Sequence, residues 1–228
     1  MDKVQIGIDY SIASEELIKI LLDFPPDEGI YKELYEANTH RPEVLKLLYK
    51  HPLTPEDVRA KTAEALSLPA LQQDEILKER EVFFSEEAQQ ARAKGLLQQI
   101  QRLNVGERVR LAMRANREVR NILIRDSHKE VVMKVLENPK VTESEIELAA
   151  KNPQLPEEAL RFIAKKREWM RKYPIMVALV SNPKTPPGIS MQYIGNLRTP
   201  DLIALSQSKN IPEMVRNAAR RHLALRRK

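Results

Sequence analysis

Apolar residues recur along the chain in short bursts at helical spacing, and proline ends most bursts. Val131, Val135 and Leu136 form one, and Ile146, Ala149 and Ala150 the next; offsets of three to five place such side chains on one helix face. Four segments separate the bursts with one grammar: His51-Pro52-Leu53-Thr54-Pro55-Glu56, Asn138-Pro139-Lys140-Val141-Thr142-Glu143, Asn152-Pro153-Gln154-Leu155-Pro156-Glu157 and Asn182-Pro183-Lys184-Thr185-Pro186-Pro187. The grammar predicts that Asn closes a helix in the left-handed conformation and that the next proline blocks continuation. Thr then supplies an N-cap oxygen, proline takes the first helical position, and Glu complements the N-terminal dipole.

Other helix starts follow the same chemistry. Thr142-x-x-Glu145 and Ser127-x-x-Glu130 match a capping box. Pro42, Pro200 and Pro212 are expected at first helical positions. Strand signal is confined to the alternation of Val4, Ile6 and Ile8, which predicts either a short strand or an extended arm. The expected class is therefore all-α.

Spacing adds a repeat. Asn138 to Asn152 is 14 residues, Asn152 to Asn182 is 30, and Asn182 to Asn210 is 28. A period near 14 is one helix with its turn, and one near 28–30 is a helix pair, as in stacked helical repeats. The grammar lapses between about Pro69 and Leu103, a Gln-, Glu-, Lys- and Ala-rich stretch with high helix propensity. That stretch is expected to be one long helix, two helices meeting near Gly95, or a linker. Three segments result: an acidic helical module over 1–69, the connecting helix or linker over 70–103, and a basic helical-repeat array over 104–228.

The repeated Asn-Pro-x-Thr-Pro element resembles the leucine-rich repeat variant and HEAT-like families. Val105-Gly106-Glu107-Arg108, Ile122-Leu123-Ile124-Arg125-Asp126, Arg167-Glu168-Trp169 and the run from Val177 to Pro186 are also similar to a bacterial helical-repeat family. The likeness spans 104–228, with weaker echoes at 38–66. It implies a right-handed α-solenoid of stacked short helices. It departs from the repeat-variant pattern in period and lacks the cysteine cluster of some such proteins. It implies neither an activity nor a cofactor.

Charge changes the picture more than composition does. Among 228 residues with a net charge of +6, residues 1–90 carry 10 Lys/Arg against 19 Asp/Glu, a net −9. Residues 91–228 carry 28 against 13, a net +15. This polarity predicts an acidic partner, or contact between the halves that masks the basic one. The candidate partner-binding residues are the basic clusters. Arg110, Arg114 and Arg117 fall at i, i+4 and i+7 unless a turn near Asn116 breaks the face, and Arg120 and Arg125 continue the series. Lys165, Lys166, Arg167, Arg171 and Lys172 follow Arg161 and are relieved only by Glu168. After Glu213 come Arg216, Arg220, Arg221, Arg226, Arg227 and Lys228, with no further acid. Stacking would merge such clusters into a basic stripe on a concave face, suited to an acidic protein or, alternatively, to nucleic-acid phosphates.

Catalytic chemistry finds little support. Zero cysteines exclude thiolate metal sites and cysteine nucleophiles, and six scattered glycines build no phosphate loop. His40, His51, His128 and His222 have no recognised metal spacing; His128 near Asp126 is the nearest approach to a dyad. Phe162, Trp169 and Tyr173, at i, i+7 and i+11, are expected to pack in the core rather than stack on bases, and the methionines to fill it. The expectation is a non-catalytic scaffold for protein–protein interaction, without cofactor, metal or small-molecule substrate. With no secretory, lipidation or membrane-spanning signal, it is expected in the cytoplasm.

Overall fold

A computed structural model describes residues 8–226, and every regular element among them is helical. Of the Val4, Ile6 and Ile8 alternation only Ile8 lies within the described residues, and Arg227 and Lys228 lie outside them. The chain forms two compact units that divide after Ile122.

The first unit holds α1 (Glu15–Asp23), α2 (Ile30–Ala37), α3 (Pro42–Lys50), α4 (Glu56–Leu66), α5 (Gln73–Phe84), α6 (Glu86–Arg102), α7 (Val105–Arg114) and nearly all of α8 (Arg117–Leu123). Leu17, Ile18 and Leu21 of α1 pack with Ile30 and Leu34 of α2 and Val44 and Leu48 of α3, all essentially without solvent contact. The stretch over 70–103 resolves into two helices, but the break is at Ser85 and not near Gly95, which sits inside α6. Ser85 turns extended and accepts a bond from the Ala88 amide at 3.3 Å, so an N-cap interrupts the helix where a serine can satisfy an open donor. Helix α6 joins the core through Leu96 and Ile100, against α1, whereas α5 fully buries no side chain.

The second unit holds α9 (Lys129–Glu137), α10 (Glu143–Lys151), α11 (Glu157–Lys165), α12 (Arg167–Met170), α13 (Tyr173–Ser181), α14 (Pro187–Tyr193), α15 (Thr199–Gln207) and α16 (Glu213–Arg226). Five of these are nine residues long. Isolated helices of fewer than about 12 residues are marginal in water, so each must bury a stripe on its neighbours. They do so against both sequential and more distant helices: α15 packs on α16 and α13 on α14, while α9 packs on α11, α10 on α13, and α14 on α16. One apolar cluster runs from Val132 through Ile146 and Leu160 to Leu179, and a second from Val180 through Leu202 to Ala219.

The turns keep the predicted punctuation but use different atoms. Asn138, Asn152 and Asn182 are extended, with φ of −63°, −73° and −77°, and not left-handed. A following proline clashes with a helical or left-handed predecessor and drives it to extended geometry. Asparagine serves through its side chain instead: each Oδ1 accepts the amide two residues on, at 2.9 Å, to Lys140, Gln154 and Lys184. Among the described residues the one non-glycine in the left-handed region is Ser67, which closes α4.

Threonine divides in the same way. Thr142 forms the expected capping box with Glu145, but Thr185 donates backwards to the Leu179 carbonyl at 2.6 Å, and Pro55, Pro156 and Pro186 occupy the cap positions themselves. The Ser127–Glu130 box does not form: α9 starts one residue later, after His128, which makes no side-chain cap bond and whose amide is held by Asp126 at 2.8 Å. Pro42 takes the first helical position, Pro200 the second, and Pro212 precedes α16.

One asparagine links turns distant in sequence. Asn182, buried between α13 and α14, donates to the Ala150 and Asn152 carbonyls at 2.7 and 2.8 Å, closing the end of α10. Substitution Asn182→Ala removes the side-chain donor from both carbonyls; that of Asn152 keeps the Leu155 amide at 3.1 Å, whereas that of Ala150 loses its buried partner, a cost of about 2 kcal/mol. Urea unfolding of the variant, followed by circular dichroism, is expected to show that loss with helix content intact at zero denaturant.

Candidate interaction surface

The basic residues fall into two populations. Four arginines stand at the fourth position of their helices and reach back to the carbonyl of the residue that closes the preceding one. Arg59 reaches His51 at 2.9 Å, Arg108 reaches Leu103 at 3.0 Å, Arg120 reaches Ala115 at 2.8 Å, and Arg216 reaches Ser208 at 3.0 Å. A helix end leaves carbonyls open and carries partial negative charge, so a guanidinium fork is a good match. Arg59 also bonds Tyr49 and Thr54 carbonyls and is only 4% exposed; burial, then neighbouring Arg80, pulls its pKa below the ordinary arginine value.

Arg120 and Arg216 thus hold helix ends together, and Arg120, 4% exposed, is withdrawn from any partner. Arg114 is committed as well: its guanidinium meets Glu33 at 2.9 Å and Asp27 at 3.5 Å beside the buried Tyr10 ring. The run from Arg110 to Arg117 is broken as the turn near Asn116 suggests, since α7 ends at Arg114 and α8 begins at Arg117. Arg110 is half-buried; Arg117 and Arg125 are exposed, as is Arg220 beside Asn217.

The second population gathers at one corner. Lys165, Lys166, Arg167, Arg171 and Lys172 are all exposed where the single turn of α12 bends the chain between α11 and α13. Among the described residues Lys165, Lys166, Arg167 and Arg171 make no ion pair, while Lys172 meets Glu143 at 2.7 Å. Lys166 and Lys172 occupy the N-cap positions of α12 and α13, where a cation opposes the helix dipole, and α13 has no acid in its first turn. Local stability therefore does not account for these cations.

The neighbouring rings belong to the core. Phe162 and Trp169 meet edge-on at 5.9 Å and pack against the α10–α13 cluster, with Lys166 5.3 Å from the Phe162 ring. Tyr173 is bound to Asp201 and takes the Arg198 amide at 2.7 Å, so its hydroxyl is engaged and its ring sits under Arg198. Neither ring pair forms an open stacking platform. Asp126 holds the amide as well as the ring nitrogen of His128, 3.3 Å away, in an exposed turn. His51 lies unforeseen beside Asp23 at 3.5 Å, wedged against Tyr31 and Phe83. No group of three or more potential metal ligands occurs among the described residues, and no helix there is long and apolar enough to cross a membrane.

Two measurements separate the populations. Arg120→Ala is expected to destabilise the fold by about 2 kcal/mol, whereas Arg167→Ala at the exposed corner changes unfolding by less than about 0.5 kcal/mol. Burial holds the Tyr10 hydroxyl up at about 12, against 10.0 for an ordinary tyrosine. Folding therefore favours its neutral form, and that contribution is complete below pH 10 and lost as pH rises through about 12. Tyr10→Phe is expected to make the stability profile shallower above pH 10, read by urea midpoints across that range.

No family model matches the chain, and neither a curated protein nor a solved structure matches it.

Proposed function

We propose that this protein is a non-catalytic helical-repeat scaffold whose basic corner binds an acidic segment of a partner protein. The nine-residue helices and the alternate packing of α9 on α11 and α10 on α13 support reading the second unit as a short right-handed α-solenoid of the HEAT-like kind. The observation that carries the function is the corner itself. Five exposed cations crowd two helix starts that would be more stable with Asp or Ser, and one carboxylate, Glu143, meets them. Arg117 and Arg125, also exposed, are further candidates. An exposed corner of long flexible cations suits an extended acidic chain better than a small molecule, which calls for a closed pocket.

Protein is favoured over nucleic acid because Phe162 and Trp169 are committed to the core and leave no base-stacking surface beside the cations. The test uses the full chain with a labelled polyglutamate peptide and, in parallel, single-stranded RNA. Combined Lys166→Glu, Arg167→Glu and Arg171→Glu is expected to weaken peptide binding at least about tenfold without altering the unfolding midpoint. Unchanged peptide binding overturns the proposal. RNA binding that persists near 150 mM salt, with a steep salt slope, replaces it with nucleic-acid recognition.

A further inference from the structure

A second surface, of opposite charge, lies on α5. This helix contributes no fully buried side chain; Ile76 and Phe83 are half-buried, Phe83 against His51, and the other apolar residues face outward: Leu77 is 52% exposed, Val82 67% and Phe84 56%. Four large exposed hydrophobics fall within residues 68–84, Leu68 being the other. A twelve-residue helix that fully hides none of its apolar residues, and leaves three of the five exposed, gains less from its own unit than its neighbours do.

The charges around it are equally unspent. Nine Asp and Glu residues lie between Glu56 and Glu87, all exposed. None of the nine forms an ion pair among the described residues. Spacing orders part of the set. Asp74, Leu77, Glu81 and Phe84 follow at intervals of three, four and three, which places them on one helix face, alternately acidic and apolar.

That face ends in two recesses. Leu77 borders one of about 270 Å³, walled by Ala60, Ala63, Leu71 and Ile76 and by Arg59 and Arg80, whose guanidinium groups are bound to backbone carbonyls. Phe84 borders another of about 600 Å³, walled by Phe24, Pro25, Leu53 and Phe83. Seven residues of helix separate them by about 10 Å, the distance between side chains at i and i+7 of a second helix.

We infer that the α5 face docks a basic amphipathic helix of a partner protein. Leucine-like side chains at i and i+7 would enter the two recesses, and Lys or Arg between them would meet Asp74 and Glu81. This is helix-in-groove recognition with complementary charge, and it is independent of the corner cations in the second unit.

The probe is a fluorescein-labelled amphipathic model helix of Leu and Lys, added to the full chain and followed by polarisation. A Leu/Glu counterpart and a Ser/Lys peptide of equal length serve as controls. Binding of the Leu/Lys helix alone is expected, weakened at least about tenfold by paired Leu77→Ser and Phe84→Ser. Paired Asp74→Asn and Glu81→Gln is expected to weaken it several-fold, and more at low salt than at high. All four positions are exposed, so unfolding midpoints should hold; if the serine pair does not fold, the Asn/Gln pair decides. Equal binding of the Ser/Lys peptide, or indifference to both variant pairs, overturns the inference. Concentration-dependent self-association abolished by the same substitutions also overturns it, by making a second copy of this chain the occupant.

Discussion

Short helices end often, and each end leaves carbonyls without donors. That accounting governs this molecule. Proline in the turns removes amides that would otherwise serve, so side chains must close the helices. They do so by a repeated device: an arginine in the first turn of one helix reaches back to the end of the last, as Arg59, Arg108, Arg120 and Arg216 do. Where that arginine is lacking, Asn182 closes α10 from the far side of α11 and α12, and Arg226 takes the Leu197 carbonyl at 2.7 Å. Glu107 performs the mirror task at helix starts, capping its own helix through Asn104 and holding the Ser14 amide ahead of α1 at 3.2 Å.

The same device explains why net charge overstates the surface. A guanidinium bound to carbonyls is a structural group, and several of the chain's arginines are used this way. The compact units also redraw the boundary. Residues 1–122 carry 18 Lys/Arg against 21 Asp/Glu, a net −3, and 123–228 carry 20 against 11, a net +9. The basic residues of α7 and α8 fold within the unit that holds the acidic helices, where Arg114 meets Asp27 and Glu33. What stays unmatched is local: cations around α12 and carboxylates around α5.

Much of this was legible along the chain. The all-α class and most helix starts follow from local chemistry. Proline and capping residues act on neighbours a few positions away, so their effect travels with the sequence. Assignments that failed were those in which two local rules compete. Asparagine before proline obeys proline, so it is extended and works through its side chain. Ser127 loses its cap because Asp126 closes a turn on the His128 amide and the helix starts after His128. The arginine at the fourth helical position was a visible repeat, and its spacing to the preceding turn was the signal that would have separated structural cations from exposed ones.

Periodicity thus determined that the chain is helical, where its helices begin and which faces are apolar, because these depend on contacts within a turn or two. Only tertiary structure decided which charges are spent and which remain. Whether a cation meets a carboxylate depends on residues far apart in the chain, as for Arg114 and Glu33, and so does the closing of α10 by Asn182. Leu77 and Phe84 show the same dependence on residues far apart in the chain. They became a surface because α1 chose Leu96 and Ile100 of α6 as its cover and left α5 outside.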